Sequence, residues 1–233
     1  MTNSPRLFIG SALASVVFLA GPTAMPLAAA LLSSKLPSLG HSIDSSGAAQ
    51  AAFALVSISL IFGGGAFWGW TLGKLSGSGH ARRLAVAGSL GWGLSTIVVG
   101  FALGTLEESI ARLVPNLPIH NLFTMLFTPA VFVITGVTGI ALGIAMRDRR
   151  AGVALGWRAG LVAALAFAAV DLILDSLGVR VGGPNAAESA TMLRVLTLGN
   201  VGAAIAGGAT TGLLFSRHVA KASADVVLPA QTA

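Results

Sequence analysis

Six long apolar stretches, separated by short polar segments, most restrict how this chain can fold. Roughly 20 predominantly apolar residues in a helix cross a bilayer. The stretches cover residues 7–32, 49–72, 84–106, 122–146, 153–177 and 192–215. Solid apolar runs favour helices, because barrel strands alternate polar and apolar residues over about 10 positions. The sequence therefore predicts an all-α bundle of six transmembrane helices in one domain, residues 1–220, with a disordered cytoplasmic tail, residues 221–233.

The composition supports lipid as the solvent. Only 9% of the residues are charged and the mean hydropathy is +0.85, which does not suit the surface of a water-soluble domain. The net charge of +6 lies in short clusters between apolar runs, so it indicates membrane topology and no nucleic-acid partner. Cysteine is absent, which excludes thiolate metal sites, and no histidine falls in mid-helix to bind haem. We expect no cofactor and no metal.

The distribution of lysine and arginine predicts the orientation of the chain. Nine of these residues lie at the termini or in the even-numbered connections, and three lie on the opposite side. The first group is Arg6, Lys74, Arg82, Arg83, Arg147, Arg149, Arg150, Arg217 and Lys221, and the second is Lys35, Arg112 and Arg180. Both termini are therefore expected in the cytoplasm. This charge rule and the Ala- and Gly-rich composition favour a bacterial inner membrane. The first stretch also fits a cleavable secretory signal, which remains an alternative.

Two hairpins, residues 61–109 and 135–176, resemble each other. Their second helices align at an offset of 67 positions, as from Arg82 to Arg149, with eight identities over 28 positions. Their first helices align at an offset of 74. Glycines at four-residue spacing, which allow close helix packing, recur three times: Gly65 and Gly69, Gly139 and Gly143, Gly208 and Gly212. The sequence thus predicts three two-helix repeats, although unrelated membrane helices also converge on these small residues.

Polar residues within the apolar stretches are the candidates for function, because each is costly in lipid unless paired or hydrated. Asp171 and Asp175 lie one helical turn apart, and Glu108 ends the third helix at the same, outer side. Asn200 is a lone amide in the sixth helix. Asp171 could bind a cation or carry a proton. Alternatively it is an interfacial acid, hydrated from outside or paired with Arg194.

Two functions of different kinds follow from these residues. The first is a small permease or channel for an ion or small polar solute, using Asp171, Asp175, Glu108 and Asn200. The second is a non-catalytic subunit that packs against other membrane subunits, or a second copy, through its glycines and exposed phenylalanines. Enzymatic activity is not expected, because no nucleophile, base or metal set converges.

Overall fold

The computed structural model describes residues 4–17, 47–113, 119–178 and 187–227, and every regular element in those ranges is a helix. We number the helices in chain order: α1 Ser4–Val17, α2 Gly47–Ser76, α3 Ala81–Leu113, α4 Ile119–Ala145, α5 Arg149–Ser176 and α6 Ala187–Val227. Helices α2 to α6 each contain a segment long and apolar enough to cross a membrane. The predicted all-α, membrane-spanning architecture is thereby confirmed for five spans. The first predicted span is described only to Val17.

Several helices continue beyond their apolar segments. Helix α3 reaches Leu113 and α6 reaches Val227, past the predicted ends of these helices at residues 106 and 215. Glutamate, alanine and arginine, which follow the apolar part of α3, are strong helix formers, so a helix can continue where the hydrocarbon ends. Hydropathy detects the limit of the hydrocarbon and therefore places these helix ends too early. Residues 228–233 lie outside the described ranges.

Short turns join the helices into antiparallel pairs. Residues 77–80 join α2 to α3, and residues 146–148 join α4 to α5. Both turns lie at one end of the bundle, which we call the turn end. The left-handed backbone that ends a helix is supplied by Gly77 (φ 65°) in the first turn and by Arg147 (φ 61°) in the second. Each of α2 to α6 packs against its neighbours in sequence.

Helix α1 completes the bundle by contacting both α6 and α2. The Ser15 hydroxyl donates to the Ala204 carbonyl of α6 at 2.7 Å. The Trp68 indole N–H of α2 donates to the Ser11 hydroxyl at 3.1 Å. The first and last described helices are therefore neighbours, and the helices follow one another around a central axis.

Three helix pairs pack through glycine: α2 with α3, α4 with α5, and α6 with α1. A side chain added at any of the six glycines with the predicted four-residue spacing would collide with the facing helix. Gly65 lies over the peptide between Gly88 and Ser89, and Gly139 over the peptide between Leu155 and Gly156. Gly139 lies 74 positions after Gly65, and the peptide that it faces lies 67 positions after the peptide that Gly65 faces. These are the two offsets at which the hairpin sequences align. Close backbone approach supplies the van der Waals contact that holds helices together in lipid.

Candidate functional site

The carboxyl group of Asp171 is buried within the bundle. Asp171 lies on α5, five residues before the helix ends at Ser176, and its exposed fraction is 1%. The Thr124 hydroxyl of α4 donates to its Oδ2 atom. Its Oδ1 atom has no hydrogen-bond partner among the described residues. A buried carboxylate oxygen without a donor is costly.

Threonines continue along the face of α4 that carries Thr124. Thr124, Thr128, Thr135 and Thr138 are separated by four, seven and three positions, a spacing that places them on one side of a helix. The Thr128 hydroxyl is buried and has no partner in the described part of the chain. Pro129 follows it and cannot donate the backbone hydrogen bond expected at its position. Polar groups thus extend from Asp171 towards the middle of the bundle.

A central cavity of about 60 Å³ lies between α1, α2, α3, α4 and α6. Its polar lining is Ser15, Thr135, Thr138 and Asn200, and its walls include the rings of Trp68 and Trp92. This volume has room for a few water molecules, and the polar lining supplies hydrogen-bond partners for them. The hydrogen bonds of Ser11 and Ser15 lie between the cavity and the turn end, where they join α1 to its neighbours.

An apolar cluster lies between Asp171 and the central cavity. Phe167 is completely buried one turn before Asp171, and its ring stacks on Phe127 of α4 with centroids 6.5 Å apart. Gly199 of α6 faces the Phe167 ring so closely that an added Cβ would lie 2.7 Å from it. Val131 and Ala203 belong to this cluster and also line the cavity. We call Phe127, Phe167 and Val131 the apolar plug.

The other predicted site residues lie in different surroundings. Asn200 is half-buried and lines the cavity, whereas Asp175 is half-buried one turn beyond Asp171. Glu108 lies in α3 and Arg194 in α6, but their side chains are outside the described part of the structure. The structure therefore places Asn200 at the cavity and Asp171 in contact with Thr124 of α4. Asp171 is absent from the cavity lining, and the plug separates the two residues.

Sequence reasoning missed the contribution of the α4 threonines. Each threonine alone carries little information, because its hydroxyl often bonds the preceding turn of its own helix, as Thr138 does with the Ile134 carbonyl at 2.7 Å. The spacing that places these threonines on one face of α4 was the pattern in the sequence that could have revealed them. Ser11 and Ser15 of α1 were missed for the same reason.

A second polar contact lies at the turn end, outside the apolar segments. Asp148 precedes α5, and its Oδ1 accepts a hydrogen bond from the Ala151 N–H at 2.9 Å. This bond lowers the pKa of Asp148, and the nearby His218 lowers it further. His218 Nδ1 of α6 lies 3.4 Å from Asp148 Oδ2. The contact connects the α4–α5 turn to α6.

Among the described residues, no three histidine, cysteine, aspartate or glutamate side chains cluster as metal ligands would. No family model, curated protein or solved structure matches this chain. The helices and the buried acid described above therefore define the class of protein. It is a multi-pass helical membrane protein with an acid buried among its spans.

Proposed function

We propose that this protein is a small permease for protons or small cations, with Asp171 as the intramembrane binding group. The observation that carries the proposal is the burial of this carboxyl group with one oxygen unpartnered in the described structure. Ionisable groups inside membrane helices are costly, and those that face the interior of a bundle commonly mark ion or proton pathways. A bound cation or proton would neutralise Asp171.

The path would run from the end of the bundle near Asp171, past Thr124 and Thr128, to the cavity at Asn200. Each threonine hydroxyl can both donate and accept a hydrogen bond, so this row suits a hydrated ion or a proton. The apolar plug closes the path in the present conformation, because an apolar constriction excludes water and ions. Pro129 weakens the backbone of α4 beside Thr128 and gives the plug a place to open.

Flux into liposomes tests the proposal. The purified protein is reconstituted, and uptake of protons, Na⁺ and K⁺ is followed with fluorescent indicators under an imposed gradient. We expect protein-dependent flux of at least one of these ions, and we expect Asp171→Asn to abolish it. Asp148→Asn, which makes the same substitution at the turn end outside the apolar segments and keeps a capping side chain, is the matched control and should retain most of the flux. Absence of flux for all three ions, or full flux in Asp171→Asn, contradicts the proposal.

The apolar plug gives an independent test of the same path. Phe167→Ala removes the buried ring between Asp171 and the cavity, and we expect it to increase basal flux several-fold. Leu165→Ala is a control on the same helix, since Leu165 is exposed towards lipid with 59% of its surface accessible. Equal flux in wild type and Phe167→Ala would show that the ion does not pass this point.

The proposed topology has six spans with both termini in the cytoplasm of a bacterial inner membrane, built from three hairpins. The matching glycine contacts of α2 with α3, α4 with α5 and α6 with α1 support the three-hairpin arrangement. The absence of cysteine makes single-cysteine labelling straightforward. In intact cells, Ser78→Cys should be protected from an impermeant maleimide and Ser176→Cys should react. The reverse pattern would refute this orientation.

The alternative role, a subunit that binds other membrane proteins through its regularly spaced glycines, receives less support. All six predicted glycines lie against helices of the same chain. A partner would therefore have to bind the aliphatic and aromatic surface that otherwise faces lipid, which includes Phe101 with an exposed fraction of 79%.

A further inference from the structure

A groove between α3 and α4 at the turn end combines cationic and apolar side chains. The part of the groove nearest the turn end carries Arg82 and Arg83 of α3 and Arg147 of the α4–α5 turn. Its wall is apolar: Val86, Ala87, Leu90, Ala141, Ile144 and Ala145. All three arginines are exposed, as are Val86, Leu90 and Ile144. The apolar wall therefore continues from the arginines along the lipid-facing surface of the two helices.

The backbone of Arg147 is unusual for an arginine. It adopts φ 61°, and its N–H donates to the Ile144 carbonyl while the Asp148 N–H donates to the Gly143 carbonyl, both at 3.0 Å. These bonds form the helix-ending motif in which this position is usually glycine. The other positive-φ residues of the described chain, such as Gly77 and Gly178, are all glycines. Keeping arginine here has a conformational cost, which indicates a function for its side chain.

No acid lines the groove beside its three arginines. Arg82 and Arg83 occupy the first turn of α3, where the helix dipole disfavours cations and where no acid is present. The corresponding arginines at the start of α5, Arg149 and Arg150, follow the carboxylate of Asp148. No carboxylate is found among the residues that line the groove. An anion bound between the three arginines would offset part of their positive charge.

We propose that this groove is a binding site for an anionic phospholipid. The phosphate would bind the guanidinium groups of Arg82, Arg83 and Arg147, and an acyl chain would lie against Val86, Leu90 and Ile144. Basic clusters between membrane helices recognise anionic headgroups in this way. Guanidinium suits phosphate because its donors form paired hydrogen bonds with two oxygens. The apolar wall distinguishes a phospholipid from free phosphate, which would gain nothing from it.

The test measures lipid binding to the purified, delipidated full-length protein in neutral detergent. Phosphatidylglycerol and phosphatidylcholine with identical acyl chains are titrated, and bound lipid is counted by native mass spectrometry. We expect phosphatidylglycerol to bind more tightly, and Arg147→Gly to weaken it about fivefold, the contribution of one cation near an anionic surface. Arg147→Gly is informative because glycine suits the left-handed backbone, so its unfolding temperature should equal or exceed that of wild type.

Controls separate the site from general charge effects. Arg217→Gln removes a cation from α6, outside the groove, and should leave the phosphatidylglycerol affinity unchanged. Glycerol 3-phosphate, whose phosphate monoester carries at least as much negative charge as the phosphodiester of the lipid but has no acyl chain, should not displace the lipid at comparable concentration. The proposal is overturned if Arg147→Gly binds phosphatidylglycerol as wild type does, if Arg217→Gln loses as much affinity, or if glycerol 3-phosphate competes equally.

Discussion

Gly139→Ala tests the packing of α4 against α5 directly. The added methyl carbon would lie 2.7 Å from the Cα and 2.6 Å from the backbone nitrogen of Gly156. Carbon atoms in contact prefer a separation of about 3.5 Å or more, so the two helices must move apart. The neighbours are backbone atoms, which cannot turn aside as a flexible side chain can.

The energetic effect follows from that displacement. A gap of about 0.5 to 1 Å removes a quarter to a half of the dispersion energy of each contact. The contacts that would lengthen include Gly136 with Gly156 and Gly143 with Gly152. Overpacking of a close interface typically costs about 1 to 3 kcal/mol. We expect Gly139→Ala to lie in the upper half of that range.

Gly104→Ala is the matched control. Gly104 lies in α3 and has open space around it, with no atom within 4 Å of an added Cβ. The same substitution should there stabilise the helix by up to about 1 kcal/mol, because alanine has the higher helix propensity. The two variants are therefore expected to change stability in opposite directions.

The measurement is the free energy of unfolding in mixed micelles, with denaturing detergent as the titrant and tryptophan fluorescence as the signal. The tryptophans lie on α2, α3 and α5, so the signal reports on several helices. A Gly139→Ala protein as stable as wild type would refute the close packing of α4 on α5. Equal destabilisation by Gly104→Ala would show that position in the interface is irrelevant.

Three further predictions concern single hydrogen bonds. Thr124→Val should destabilise the protein by about 1 to 3 kcal/mol, because a buried carboxylate oxygen of Asp171 loses its donor, whereas Thr124→Ser should be close to wild type in the same unfolding titration. Ser11→Ala should cost about 1 kcal/mol by removing the acceptor of the Trp68 indole N–H, and Ser176→Ala, at an exposed helix end, should not. Asp148→Ala should cost about 1 kcal/mol through loss of the helix cap. Since the pKa of folded Asp148 is lowered, its contribution is complete above the unfolded value near 4 and is lost as the pH falls through the folded value, so the wild-type advantage should be smaller at pH 3 than at pH 7.

Hydropathy predicts the helices of this protein because lipid leaves the backbone few alternatives. Within the bilayer the amide groups must bond to one another, so a long apolar run becomes a helix. Glycine spacing likewise marks a face on which another helix can approach closely. The ends of α3 and α6 are less predictable, because outside the hydrocarbon the sequence no longer has to be apolar to remain helical.

The surroundings of Asp171 could not be predicted in the same way. Its depth follows from its position along α5, but the contact with Thr124 depends on how α4 and α5 are rotated about their axes. The cavity beside Asn200 requires residues from five helices, and no single segment encodes it. The left-handed backbone of Arg147 was also unpredictable, since glycine is the residue that normally signals this conformation.

The pairing of α1 with α6 has a consequence for biogenesis. The hydrogen bond from Ser15 to Ala204 joins residues 189 positions apart, so α1 is synthesised long before its partner. Until α6 arrives, the face of α1 that carries Ser15 has no matching helix, whereas Ser11 can already accept a hydrogen bond from the Trp68 indole of α2. Closure of the bundle through the contact between α1 and α6 must therefore be a late event.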